Sequence, residues 1–164
     1  MPSVRVIICL AAGLLALPIL GAAQAPDTLS SGDLKVGGIA ETADSGVVRR
    51  ALGAPLRIQR DTQPNDDGVL LTLWHYRGLK VSFDPDGRRY TVTLTRPGYA
   101  TARGVRVGDS AEKVRRLYGS PHFSDDEHLL YARSREDFET LGITFFLKNG
   151  KVTMIILGEV ISVE

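Results

Sequence analysis

The chain has 164 residues, a single cysteine, and 20 Lys+Arg against 19 Asp+Glu. Cys9 sits in the N-terminal apolar run, so the chain beyond it excludes a disulfide scaffold, a cysteine-ligated metal and a thiol nucleophile. The near-zero net charge argues against a nucleic-acid or anionic-membrane binder.

Residues 1–25 read as a secretory signal peptide: Arg5 is the only charge, Val6–Leu20 is apolar, and Ala23-Gln24-Ala25 forms the cleavage triplet. The run is too short and poorly flanked for a transmembrane segment, which takes roughly 20 apolar residues. Cleavage after Ala25 leaves 139 residues of the 164, with balanced charge once Arg5 is gone. That is enough for one domain burying about two-thirds of its unfolded surface, and the expected location is periplasmic or secreted. Residues 26–34 are expected as a flexible tail.

A first helix follows. Asp44 or Ser45 caps it, Val48, Ala51 and Leu52 supply an apolar stripe, and Gly53 and Pro55 stop it. Gly46 weakens it by about 1 kcal/mol relative to alanine. The polar stretch Arg60–Asp67 reads as a surface loop, and Asp66-Asp67-Gly68 as a turn into a strand over Val69–Tyr76. Leu79, Val81 and Phe83 alternate with polar residues as a half-buried strand does; Asp84-Pro85-Asp86-Gly87 then turns the chain into Tyr90–Thr95. Arg96–Ala102 is a short link. A second helix is capped by Asp109 or Ser110, with Glu112 placed to reach back, and carries Ala111, Val114, Leu117 and Tyr118 on one side. Gly119 and Pro121 end it. After a segment holding Leu129-Leu130-Tyr131, Ile143–Leu147 and Val152–Leu157 pair through Asn149-Gly150, a strong hairpin signal.

These elements repeat. Val48-Arg49-Arg50-Ala51-Leu52-Gly53-Ala54-Pro55 recurs 66 residues on as Val114-Arg115-Arg116-Leu117-Tyr118-Gly119-Ser120-Pro121, with five of the eight positions identical. Trp74-His75-Tyr76 answers to Leu129-Leu130-Tyr131, Gly78-Leu79 to Gly142-Ile143, and Asp86-Gly87 to Asn149-Gly150. The expected fold is therefore α+β: two tandem repeats, residues 35–98 and 99–164, each a short helix followed by an antiparallel meander of about three strands, with the helices packed on one face of the sheet.

The segment Gly104-Val105-Arg106-Val107-Gly108-Asp109-Ser110-Ala111, followed by Val114 and by Gly119-Ser120-Pro121, resembles the helix–meander repeat of the BamE (SmpA/OmlA) outer-membrane assembly proteins. It is equally similar to the tandem repeat of the β-lactamase inhibitory protein. The likeness spans about residues 36–158 and is closest over 104–121. BamE-type proteins carry a lipid-anchoring cysteine at the processing site; Cys9 precedes most of the apolar run, so no lipid anchor is expected. The inhibitor carries disulfides that this chain lacks, and none of its enzyme-contacting residues aligns here. The resemblance implies a non-catalytic module, without cofactor, that offers a sheet face and loops to a protein partner: an inhibitor or immunity-type protein, or an envelope-assembly accessory.

Candidate chemistry is sparse. Gly108-Asp109-Ser110 has the look of a hydrolase nucleophile block, but capping explains it, and no histidine has a motif tying it to Ser110. His122 and His128 bracket an acidic turn that includes Asp125 and Asp126, a weak metal-loop candidate without recognised ligand spacing. His75 reads as a packing or rim residue. Trp74 and Tyr76 point to one side of their strand and His75 to the other. If the first side looks outward, Trp74, Tyr76 and Arg77, with Tyr131 at the equivalent place in the second repeat, are the candidate partner-binding residues; if inward, they are core.

Overall fold

A computed structural model describes residues 28–66, 68–133 and 141–159. The signal peptide expected over 1–25 and Asp67 of the expected turn lie outside the described residues. The elements in order are α1 (Ser45–Leu52), β1 (Arg57–Arg60), β2 (Thr72–Tyr76), β3 (Leu79–Phe83), β4 (Arg89–Leu94), α2 (Ala111–Tyr118), β5 (Phe123–Ser124), β6 (His128–Ala132), β7 (Leu141–Lys148) and β8 (Lys151–Glu159). The strands form one eight-stranded sheet in the order β1-β2-β3-β4-β8-β7-β6-β5, with every neighbouring pair antiparallel. The protein is α+β as expected. The meanders have four strands each rather than about three: β1 and β5 are short outer strands without an alternating apolar pattern, so they gave no periodic signal.

Each helix is closed by local chemistry. The Asp44 carboxylate accepts from the Val47 amide at 2.7 Å, and the Ser110 hydroxyl from the Lys113 amide at 3.3 Å. With Ser110 as cap, the third helical position is Lys113 and Glu112 is the second; its carboxylate still reaches back, to its own amide and the Ser110 side chain, and is held below the usual range. Asp109 accepts from the Arg106 amide and from Lys113 Nζ, both at 2.7 Å. Ser110→Ala should cost about 1 kcal/mol by loss of the cap, read as a lowered denaturant midpoint with an unchanged slope. At the far ends, the amides of Gly53 and Gly119 close the last turns on Arg49 and Arg115.

Helices this short hold only through packing. Val48 of α1 and Val114 of α2 are fully buried in one cluster with Val81, Val92, Ile155, Leu157, Ile143 and Phe145 from the sheet. The Tyr118 ring lies 5.3 Å from both Tyr131 and Phe145. Leu34, Val36 and Ile39 enter the same cluster ahead of α1, and Val105 ahead of α2.

This corrects the reading of 26–34 as a tail. From Thr28 onward the segment is seated: Leu29 and Leu34 are buried, and Asp33 accepts from Arg103 Nε at 2.7 Å and Nη2 at 2.9 Å. A single aspartate and two leucines carry no periodicity that would announce such docking.

One irregularity also shifts the expected core. The ladder between β3 and β4 slips at Ser82/Phe83, so that Phe83 stands opposite Arg89. Arg89 thus takes the inward position that alternation assigns to Tyr90. It is 7% exposed, donates to the Leu34 carbonyl at 2.8 Å, and burial lowers its pKa to about 10. The β7–β8 hairpin closes on Asn149 and Gly150, with φ of 52° and 69°, as a turn of the type-I′ class requires.

Candidate protein-binding surface

Register sorts the strand residues between two faces. The row Ile58, Trp74, Val81, Val92, Leu157, Ile143 and Tyr131 belongs to the face that carries the core cluster. Trp74, Tyr76 and Tyr131 therefore all face the core, and the inward alternative of the sequence reading is the one realised. Tyr131 is 1% exposed and donates to the Gly119 carbonyl at 3.1 Å. Burial pushes its phenol up to about 12. It has no surface to offer a partner. Trp74 and Tyr76 are half-buried: Trp74 meets Phe83 edge-on with ring centroids 4.9 Å apart, and the Tyr76 hydroxyl donates to the Gly53 carbonyl at 3.3 Å. Arg77 is exposed in the β2–β3 turn. The four residues do not come together as one exposed patch, because four strands, β3, β4, β8 and β7, lie between β2 and the β6 strand that carries Tyr131.

The weak metal loop does not converge either. Asp125 accepts from the amides of Glu127 and His128 at 2.7 and 2.6 Å and from the His128 ring at 3.1 Å, which spends its carboxylate on the turn. The His128 hydrogen bond is the main reason its carboxyl titrates below the usual range. His122 Nδ1 accepts from the Ala132 amide at 3.1 Å, about three strand residues or 10 Å up the ladder from Asp125. Asp126 is exposed beside them. Among the described residues no group of three or more His, Cys, Asp or Glu could hold a metal ion. Among them, too, no helix is long and apolar enough to cross a membrane.

What the sequence reading missed is the second face. A row of register partners crosses the full sheet there, from Arg57 and His75 through Lys80 and Thr93 to Ile156 and, past Thr144 and Leu130, to Phe123. His75, Lys80, Ile156, Met154 and Phe146 are half-buried on this face, and Phe123 is exposed at its rim. Arg57 Nη2 donates to His75 Nε2 at 3.2 Å. Burial, then the charges of Arg57 and Lys80, lower the His75 pKa, so the ring is neutral at neutral pH. At one end, His128 meets Phe146 edge-on at 5.0 Å beside an open depression of about 580 Å³ lined by Glu127, His128, Phe146, Lys148 and Met154. A signal for this face does exist in the sequence: Leu129-Leu130, Phe145-Phe146 and Ile155-Ile156 are apolar doublets, and in a strand one member of each must point away from the core. The chain matches no protein-family profile, no curated protein and no solved structure.

Proposed function

We propose that this chain is an exported, non-enzymatic protein-binding module of the inhibitor or immunity type, which holds a partner enzyme on the second face of its sheet and the adjoining loops. The observation that carries the reading is the register row from Arg57 to Phe123 across all eight strands, in which Arg57, His75, Lys80, Ile156 and Phe123 keep exposed surface while Thr93, Thr144 and Leu130 between them are buried. Eight strands spaced about 4.8 Å apart give a face about 34 Å wide. Over five residues of strand it offers several hundred Å², of the order of one partner's share of a standard interface, about 800 Å². A small molecule needs a deep, enclosing pocket instead, whereas apolar groups framed by Lys80, His75 and Arg57 suit a protein surface.

In this reading the chain is a tandem pair of helix–meander units whose helices share one face of the sheet. Matched hydrogen bonds support it: Ser45 and Ala111 amides to Gly87 and Gly150 carbonyls, Arg89 and Val152 amides to Ala43 and Asp109, and Leu56 and His122 amides to His75 and Leu130. The Tyr76 and Tyr131 hydroxyls likewise meet Gly53 and Gly119. Export rests on Arg5, Val6–Leu20 and Ala23-Gln24-Ala25.

The test is capture by crosslinking in the native envelope with the C-terminally tagged full chain, compared with an Ile156→Arg variant. One stoichiometric enzyme, retained by the wild type and lost by the variant at unchanged melting temperature, is the expected result. Recovery of outer-membrane assembly components would instead favour the BamE-like accessory that the 104–121 resemblance implies. Equal recovery by both proteins would reject the second face as the binding surface.

A further inference from the structure

We infer that the outer edge of β1 is a docking strand for an extended segment of a protein partner, one with an aliphatic residue opposite Ile58 and acidic residues opposite Arg57 and Arg60. This rests on the protein-binding reading above and adds a second contact to it.

β1 ends the sheet, and all four of its residues are exposed. The Asp61 amide donates to the Leu71 carbonyl at 2.9 Å, in the same register that pairs Arg60 with Thr72. Antiparallel ladders alternate, so Arg57, Gln59 and Asp61 direct their amides and carbonyls at β2, while Ile58 and Arg60 direct theirs away from the sheet. Those four outward groups are a template for an added strand.

The side chains give the template a character. Four large hydrophobic side chains stand exposed among the described residues, and three of them flank this edge: Leu56 at 74%, Ile58 at 49% and Leu70 at 49%. Half-buried Trp74 is the register partner of Ile58 and extends the apolar strip inward. Arg57 and Arg60 bracket Ile58, one on each face of the sheet, and neither makes an ion pair among the described residues. Edge charges commonly serve only to repel other strands, but that role leaves the exposed leucine and isoleucine without a reason. A segment reading acid–polar–aliphatic–acid, laid antiparallel, meets both arginines and Ile58 at once. A second copy of β1 would bring four arginines into one short ladder. The opposite edge, β5, is only two residues long and offers no comparable template.

The experiment is an NMR titration of the ¹⁵N-labelled full chain with a capped eight-residue peptide centred on Glu-Thr-Val-Glu, beside a control centred on Lys-Thr-Val-Lys. The expected result is saturable shifts confined to Leu56–Arg60 and β2, slowed hydrogen exchange at the Ile58 and Arg60 amides, and no response to the control. The double variant Arg57→Glu/Arg60→Glu should weaken the acidic peptide at least about tenfold and bind the lysine peptide instead. Ile58→Pro removes one outward donor while the bonds to β2 remain, and should abolish both the shifts and the protection. No shifts, shifts indifferent to the charge reversal, or a β1-mediated dimer of the chain alone would overturn the inference. The two readings fail separately: an enzyme released by Ile156→Arg but retained by the β1 variants removes the edge and keeps the binding module.

Discussion

Replacing Arg103 by alanine is expected to destabilise the fold by about 3–5 kcal/mol, the cost of breaking a buried pair and stranding its partner. The side chains of Arg103 and Asp33 are 15% and 10% exposed and meet through two parallel bonds, the geometry in which a guanidinium and a carboxylate bind best. Arg103 also donates to the carbonyls of Leu117 at 3.2 Å and Thr28 at 3.1 Å, and its guanidinium lies 4.7 Å from the centre of the Tyr118 ring. One side chain thus ties the segment before α1 to the link before α2 and to the end of α2. Chemical denaturation of Arg103→Ala and Asp33→Asn reads the loss directly; a change below about 1 kcal/mol in both would show that the pair is not structural.

The same pair sets an acid limb. Burial alone would raise the Asp33 carboxyl, but the Arg103 hydrogen bond, those from Ser30 and the guanidinium charge outweigh it and hold the pKa below the ordinary range. Because the folded pKa lies below the unfolded one, the stabilisation is fully present above about pH 4 and is lost as pH falls through the folded value. Asp109 and Asp125 are held low as well, so some acid sensitivity stays in any Asp33 variant. The difference in stability between wild type and Asp33→Asn should therefore shrink below pH 4 and be flat above it.

Gly158→Val is the second large effect, expected at about 2–5 kcal/mol from backbone strain and overpacking together, or a fall in melting temperature on the order of 10 °C. Gly158 lies where the halves of the sheet join, paired with Thr91 of β4 and with Gly142 of β7. Its φ is 136°, and a Cβ there would run into the Tyr90 carbonyl oxygen and the Thr91 Cα, which are backbone and cannot swing aside. Gly104→Ala is the control. Its φ of 85° is also positive but a Cβ would meet nothing within 4 Å, so only strain of about 1 kcal/mol is expected. Equal losses from the two substitutions would mean that the β4–β8 seam accommodates a side chain.

Much of this architecture is legible from local chemistry. The helix stops at Gly53 and Gly119, the hairpin at Asn149-Gly150 and the inward run Leu79, Val81 and Phe83 each follow from a few neighbouring residues. They stand where the sequence puts them because caps, turns and alternation act within one or two turns of chain. The outer strands β1 and β5 escaped notice for the converse reason: four and two exposed residues carry no pattern, and only the partner strand defines them.

The candidate surface depended on something no local rule supplies. Sequence alone determined that Trp74 and Tyr76 share one side of a strand and His75 takes the other, since side chains alternate whatever the sheet does next. It also marked Ser110 as a helix cap, the role its hydroxyl takes toward the Lys113 amide. Which side meets the core was decided only by tertiary structure, which buries Val48, Val114 and Tyr118 in one cluster with Val81, Val92, Ile143 and Tyr131 of the row that includes Trp74. That choice withdrew Tyr131 from the surface and gave the second face to Lys80, Ile156 and Phe146. The docking of Asp33 on Arg103, 70 residues away, and the burial of Arg89 beneath Leu34 are likewise long-range events. Burial and pairing free energies there depend on groups the chain brings together only when the whole sheet closes.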